Sequence, residues 1–283
     1  MAFIGNLVLV FVAGFITALA TGLGALPFFF VEEFSDRWNV GLWGTASGIM
    51  VAASLFGLLN EGLAYTSGLP VLLGVGLLAG VVLVELSDRI LDWLDMGGHG
   101  DHGDDDHDEH RLEAEAFAEG DPKKLALILG ILTVHSFPEG VAVGVSFAEL
   151  GLEGGVGVFG FAVPVLAVFM TVAISIHNIP EGTAIAIPMR AMGLSKWRMV
   201  GAAVFSSLPQ PIGAVIAFAF VRWAQAFLPF GYGFAAGAMV YLVATEFVPE
   251  ALETGRDLPD GGRSALVIGF AAGVLAMLPL LSV

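Results

Sequence analysis

Eight stretches of this chain run for about 20 residues or more with almost no charge: roughly 3–30, 42–64, 69–91, 124–148, 156–189, 199–221, 231–252 and 264–283. In hydrocarbon every unpaired backbone N–H or C=O costs several kcal/mol, so only helices or a closed barrel can cross a bilayer. Barrel strands alternate apolar and polar residues, and these stretches do not. The 38 Gly and 13 Pro fit close-packed, locally broken helices instead. Apolar residues make up 57% and charged residues 13%, far from the soluble norm. The expectation is an all-α integral membrane protein, one domain over 1–283 with eight transmembrane helices. The fifth stretch is long enough to contain a kink or a loop. The first lacks a basic flank and an A-x-A site, so it reads as a retained span rather than a cleaved signal.

The few cations orient this bundle. Of 11 Lys and Arg, all but Arg222 fall in or beside the first, third, fifth and seventh loops. The positive-inside rule puts those loops in the cytoplasm and both termini outside. Net charge is −16, which gives no nucleic-acid signal. Thirteen of the 27 acidic residues crowd into 88–121. There the loop 95–122 carries His99, His102, His107 and His110 among Asp, Glu and Gly, with too little apolar surface to fold alone, so disorder is the expectation. Those four His among carboxylates suit loose metal binding or a solvated linker equally. With no Cys in the chain, any metal site must use N and O donors.

One pattern occurs twice inside the apolar stretches. His135-Ser136-Phe137-Pro138-Glu139-Gly140 lies on the fourth, and His177-Asn178-Ile179-Pro180-Glu181-Gly182 on the fifth. Helical geometry places residues i and i+4 on one face, so each His and its Glu form a clamp. Pro138 and Pro180 remove a backbone N–H and loosen the helix, predicting kinks in spans four and five. Gly140 and Gly182 admit a close neighbour. A lone His in a span commonly does no more than bond an adjacent helix. Two buried carboxylates, however, repel unless a proton or cation joins them. Ionisable groups at such depth are functional candidates by default. The short loop near 149–158 makes the two spans antiparallel, so His135, Glu139, His177 and Glu181 meet at mid-depth. Imidazole plus carboxylate suits Zn²⁺, and also Fe²⁺, Mn²⁺ or Cd²⁺.

HSFPEG followed by HNIPEG, on the fourth and fifth of eight spans after a His-rich loop, resembles the ZIP (Zrt/Irt-like) metal transporters, the GufA-like branch above all. The resemblance implies metal movement toward the cytoplasm through a site on these two spans, both termini outside, an elevator-like shift and a homodimer in the cell membrane. It also implies a second, adjacent metal position at Ser136, Asn178 and Gln210, bridged by Glu181. Ser136 stands where Asn is frequent in the family, and Gln210 where Glu is. Both are neutral, so one strong site and a weakened second are expected. Glu61 and Glu246 match places where the family carries acidic residues along the metal's path; Glu61 also reads as a plain helix-end carboxylate, and Glu250 as a solvated one.

Among other polar groups in the spans, Ser175, Ser206 and Thr245 are expected to bond back to carbonyls one turn earlier. Trp38, Trp43, Trp197 and Trp223 read as interface anchors, and Met50 and Met170 as packing. The functional expectation is a divalent transition-metal transporter, Zn²⁺ first, with the metal as cargo, no prosthetic group and no nucleic-acid partner. Because ligands must lose protons to bind metal, uptake is expected to fall with acidity. An intramembrane metalloenzyme is the first rival, disfavoured because H-E-x-x-H is absent. An efflux antiporter is the second.

Overall fold

The computed structural model describes residues 2–31, 35–95, 136–150, 155–158 and 160–279. His135 and the four loop histidines lie outside them. Helix α1 covers Ala2–Gly24. Helix α2, Asp36–Ala52, runs through a π turn at Ala53–Leu59 into α3, Asn60–Ala64. Helix α4 spans Val71–Asp95, and α5 is the helical stretch 136–146. After a hairpin come α6, Val165–Ala191; α7, Lys196–Ser206; and α8, Pro209–Trp223. Helix α9, Leu228–Leu242, passes through a π turn at Val243–Phe247 into α10, Val248–Thr254, and α11 is Arg263–Met277. Six helical segments among the described residues are long and apolar enough to cross a membrane, and Val71–Ser87 is a shorter apolar one.

Local chemistry explains the breaks. Pro209 lacks the N–H that would extend α7, so Ser207 and Leu208 turn and α8 begins afresh. The long fifth stretch contains the loop its length allowed, but in an unexpected form. Strands β1, Val156–Val158, and β2, Phe161–Val163, pair antiparallel around Gly160, which takes a φ of 84°. Such a positive φ suits Gly, and the flanking Val and Phe favour extended backbone. Pro164 then sets the start of α6. The helix of the fifth stretch therefore begins at Val165, and residues 156–163 at its expected start form the hairpin. Pro180 and Pro188 both lie inside α6, which continues through them.

Glycines decide how the helices pack. An added Cβ at Gly24 would collide with Ile179 O, at Gly182 with Thr21 O, at Gly140 with Gln210 O and at Gly144 with Ala214 O. Gly14 of α1, whose added Cβ would meet Pro211 Cα at 2.7 Å, links these pairs, so α1, α5, α6 and α8 form one group, joined by α7 through Gly22 and Val204. A second set binds α2 to α11 (Gly44 and Gly48 against Leu266 and Phe270) and α4 to α9 (Gly76 and Gly80 against Phe230 and Phe234). Among the described residues no such glycine-to-backbone approach links the first group to the second set, or the α2–α11 pair to the α4–α9 pair; across the first of these boundaries Gly231 meets the side chains of Val145 and Val221. Small residues permit this backbone-to-backbone packing where lipid gives helices no hydrophobic reason to associate.

The outer faces carry large exposed apolar side chains, such as Val8 and Ile16 on α1, Leu78 on α4 and Ile268 on α11. Met50 and Met170 are buried packing residues, as expected. Trp38, Trp197 and Trp223 are exposed, but Trp43 is not an interface anchor: it is 2% exposed and its ring lies 5.2 Å from that of Phe247. Glu250, expected to be solvated, is buried and accepts from Thr254 Oγ1 at 3.4 Å.

Overpacking a tight core site costs about 1–3 kcal/mol, whereas Gly→Ala in an open helix gains up to about 1 kcal/mol. Gly48→Ala, which would meet Phe270 O, is expected to lower the melting temperature in detergent. Gly74→Ala, with nothing within 4 Å, is expected to leave it unchanged or raise it.

Candidate metal centre

Helices α5 and α6 both belong to the first glycine-bound group, so the second pattern and the described part of the first are held face to face. Glu139 is 2% exposed and His177 fully buried. An Nε2–H of His177 donates to Glu139 Oε1 at 3.0 Å. Ligand atoms of Glu139, His177 and Glu181 all lie within 4.8 Å of one another, a separation that a single cation could span. The third member, Glu181, is half-buried one helical turn beyond His177. Thus three of the four expected ligands converge, and His135 lies outside the described residues. His177 Nδ1 is buried with no hydrogen-bond partner among the described residues. Its ring stacks on Phe247 at 4.8 Å between centroids, at 28°.

The residues expected to form a second position are also brought together, but with one another and with the protein. Asn178 Nδ2 donates to Gln210 Oε1 at 3.0 Å and to the Thr17 carbonyl at 2.8 Å. Thr17 Oγ1 lies 2.6 Å from Gln210 Oε1 and 2.7 Å from Gly14 O, sharing its proton between them. Gln210 Nε2 donates to Glu139 Oε2. Ser136 Oγ points elsewhere, donating to Ser206 O at 3.3 Å.

Glu61 and Glu246 fall outside the three-residue cluster. Glu246 sits on the π turn after α9, where the extra residue re-aims side chains. Glu61 is half-buried at the start of α3, near Tyr65 and Glu149. Tyr65, just beyond the span, donates its hydroxyl to Glu149 Oε1. Burial and then the Glu149 carboxylate push the phenol up, so it stays protonated as a donor. Ser175, Ser206 and Thr245 bond to Thr171 O, Ala203 O and Tyr241 O within their own helical segments, as expected.

Sequence reasoning missed Thr17 and Phe247. Thr17 leaves a faint signal: with Thr21 it puts two hydroxyls on one face of an otherwise apolar helix, and Thr21 bonds Ser207 at 2.7 Å. Phe247 leaves none, because an aromatic in a span is ordinarily packing.

Residues 94–280 match the family described as ZIP zinc transporter. The chain belongs to the ZIP family. The zinc transporter GufA of Myxococcus xanthus is 31% identical over 244 residues, which is 85% of this chain and 87% of GufA. Zinc transporter ZIPB of Bordetella bronchiseptica is 32% identical over 275 residues, 97% of this chain and 80% of ZIPB. A protein of Arabidopsis thaliana is 38% identical over 261 residues, 90% of this chain but 36% of that longer relative. Together with the six apolar helical segments, membership makes this ZIP protein a multi-pass membrane protein.

A ligand bound only by the folded state stabilises it by about 2.7 kcal/mol at 100 times its Kd. Zn²⁺ is therefore expected to raise the melting temperature of the wild-type protein. Glu139→Gln and His177→Ala are expected to lose most of that rise. A full rise in both would remove these residues from the site.

Proposed function

We propose that this ZIP protein carries divalent transition metal, Zn²⁺ first and Fe²⁺, Mn²⁺ or Cd²⁺ as alternatives, across the cell membrane toward the cytoplasm. The observation that carries the proposal is the buried convergence of Glu139, His177 and Glu181. His135 completes a set of two imidazoles and two carboxylates. Nitrogen and carboxylate oxygen donors suit Zn²⁺ and its first-row neighbours better than Ca²⁺ or Mg²⁺. The relatives are named as zinc transporters, which favours a transporter over an enzyme.

Eight spans place both termini outside, with spans four and five loosened at Pro138 and Pro180. The metal crosses by alternating access. The packing supports this: the helices that carry the ligands are locked by glycine to α1 and α8 in one group, while Phe247 reaches the site from outside that group. A body locked in this way can shift against its neighbour without losing its own backbone contacts. Glu61 and Glu246 line the path, and two copies form the working dimer. The 95–122 loop tunes uptake through His99, His102, His107 and His110.

Radiometal uptake into proteoliposomes tests the core reading. Wild type should accumulate Zn²⁺ above protein-free vesicles, and His177→Ala should fall at least about tenfold, as loss of a ligand or its support commonly costs. Equal uptake by the two would overturn the site. Deletion of 98–110 should change apparent affinity or regulation and leave transport running; abolished transport would instead make the loop part of the conduction machinery.

A further inference from the structure

We propose that Gln210 is a positioning and selectivity residue, whose side-chain amide occupies one oxygen of Glu139 and leaves that carboxylate a single oxygen for the transported ion. The inference rests on the metal-transport reading above and assigns one residue a task within it.

The amide has one workable orientation. Its Nε2 faces Glu139 Oε2, which can only accept, while its Oε1 faces the Thr17 hydroxyl at 2.6 Å and Asn178 Nδ2 at 3.0 Å. Asn178 is itself oriented by the Thr17 carbonyl at 2.8 Å. Rotating the Gln210 amide by half a turn would set oxygen against carboxylate oxygen and leave buried donors facing a donor, a mismatch that interiors rarely tolerate. Gln210, Asn178 and Thr17 are all fully buried, so water cannot relieve it. The backbone is equally constrained. Pro209 starts α8 one residue before, and the absent side chain of Gly140 lets Gln210 O press directly on α5, the helix that carries Glu139.

Two consequences follow for the ion. The first is charge. Glu139 and Glu181 together balance one divalent cation, and a neutral Gln210 adds nothing that would hold a second. The second is coordination. With Oε2 held by the amide, Glu139 offers Oε1, the atom already 3.0 Å from His177 Nε2. One-oxygen donation beside imidazole fits the four-coordinate shell of Zn²⁺. It disfavours Mn²⁺, which prefers six oxygen-rich positions and gains from a two-oxygen carboxylate.

Proteoliposome uptake of Zn²⁺ and Mn²⁺ in parallel, with zinc content of the purified chain, tests this. Gln210→Ala frees Oε2 and should raise the KM for Zn²⁺ by about tenfold, the usual scale for losing a ligand's supporting partner. It should also lower the preference for Zn²⁺ over Mn²⁺. Thr17→Val removes one contact on the amide and should shift the same preference in the same direction, by less. Gln210→Glu places a third carboxylate at the site and, in saturating Zn²⁺ above neutral pH, should bind about one more Zn²⁺ per chain than wild type, because buried like charges need a proton or a cation and these conditions supply the cation. An unchanged Zn²⁺/Mn²⁺ preference in both Gln210→Ala and Thr17→Val would overturn the proposal, as would no gain of zinc in Gln210→Glu. If Gln210→Ala is not monodisperse, Thr17→Val decides. Failure of the transport reading looks different: wild type would then match empty vesicles, or His177→Ala would match wild type.

Discussion

Everything in this fold is arranged around one electrostatic constraint: Glu139 and Glu181 are held with His177 within 4.8 Å in a low-dielectric interior. A carboxylate taken out of water costs several kcal/mol unless it is paired, protonated or metal-bound, and a second one nearby raises that cost. No Lys or Arg forms an ion pair with Glu139 among the described residues; its partners are the His177 ring and the Gln210 amide. Neither carries a fixed positive charge. A buried carboxylate with neighbours of this kind suits an exchangeable cation better than a structural ion pair.

Holding that cluster against its own repulsion demands a rigid frame, and the glycines supply it. Gly140 and Gly182, the last residues of the two repeated patterns, press on Gln210 O and Thr21 O. Each pattern therefore carries its ligand and, one residue later, the contact that fixes the ligand's helix to a neighbour. The repeat is a unit of packing as much as of chemistry.

That is also why so much was legible in the sequence. The spans follow from apolar length, because lipid forbids other solutions, and Glu181 lies one turn from His177 because helical spacing is invariant. The convergence of Glu139 on His177 required one further step, the antiparallel pairing across a short loop. What stayed hidden came from side chains far apart along the chain. Thr17 reaches Gln210 across 193 residues and Asn178 across 161, separations at which no periodicity operates. The hairpin at 156–163 was masked by composition, since Val and Phe are as apolar in a strand as in a helix. Trp43 and Glu250 were misread as interfacial and solvated because residues near a span's end can be either, and packing alone decides.

The boundary of the first glycine-bound group differs in kind from its interior. Inside the first group, and inside the α2–α11 and α4–α9 pairs, backbone meets backbone, and separating those helices would sacrifice many dispersion contacts that side-chain motion cannot replace. Across the boundary the described contacts are made by side chains: Phe247 stacks on His177, Val145 meets Gly231, and Tyr65 donates to Glu149. Aromatic and aliphatic side chains can be exchanged for other apolar neighbours at little cost as surfaces slide. The Tyr65 hydroxyl lies at the end of a span, where water can take over its bond. The Glu139, His177 and Glu181 cluster therefore belongs to a group with a firm interior and a remakeable outer contact, at which Phe247 stacks on His177.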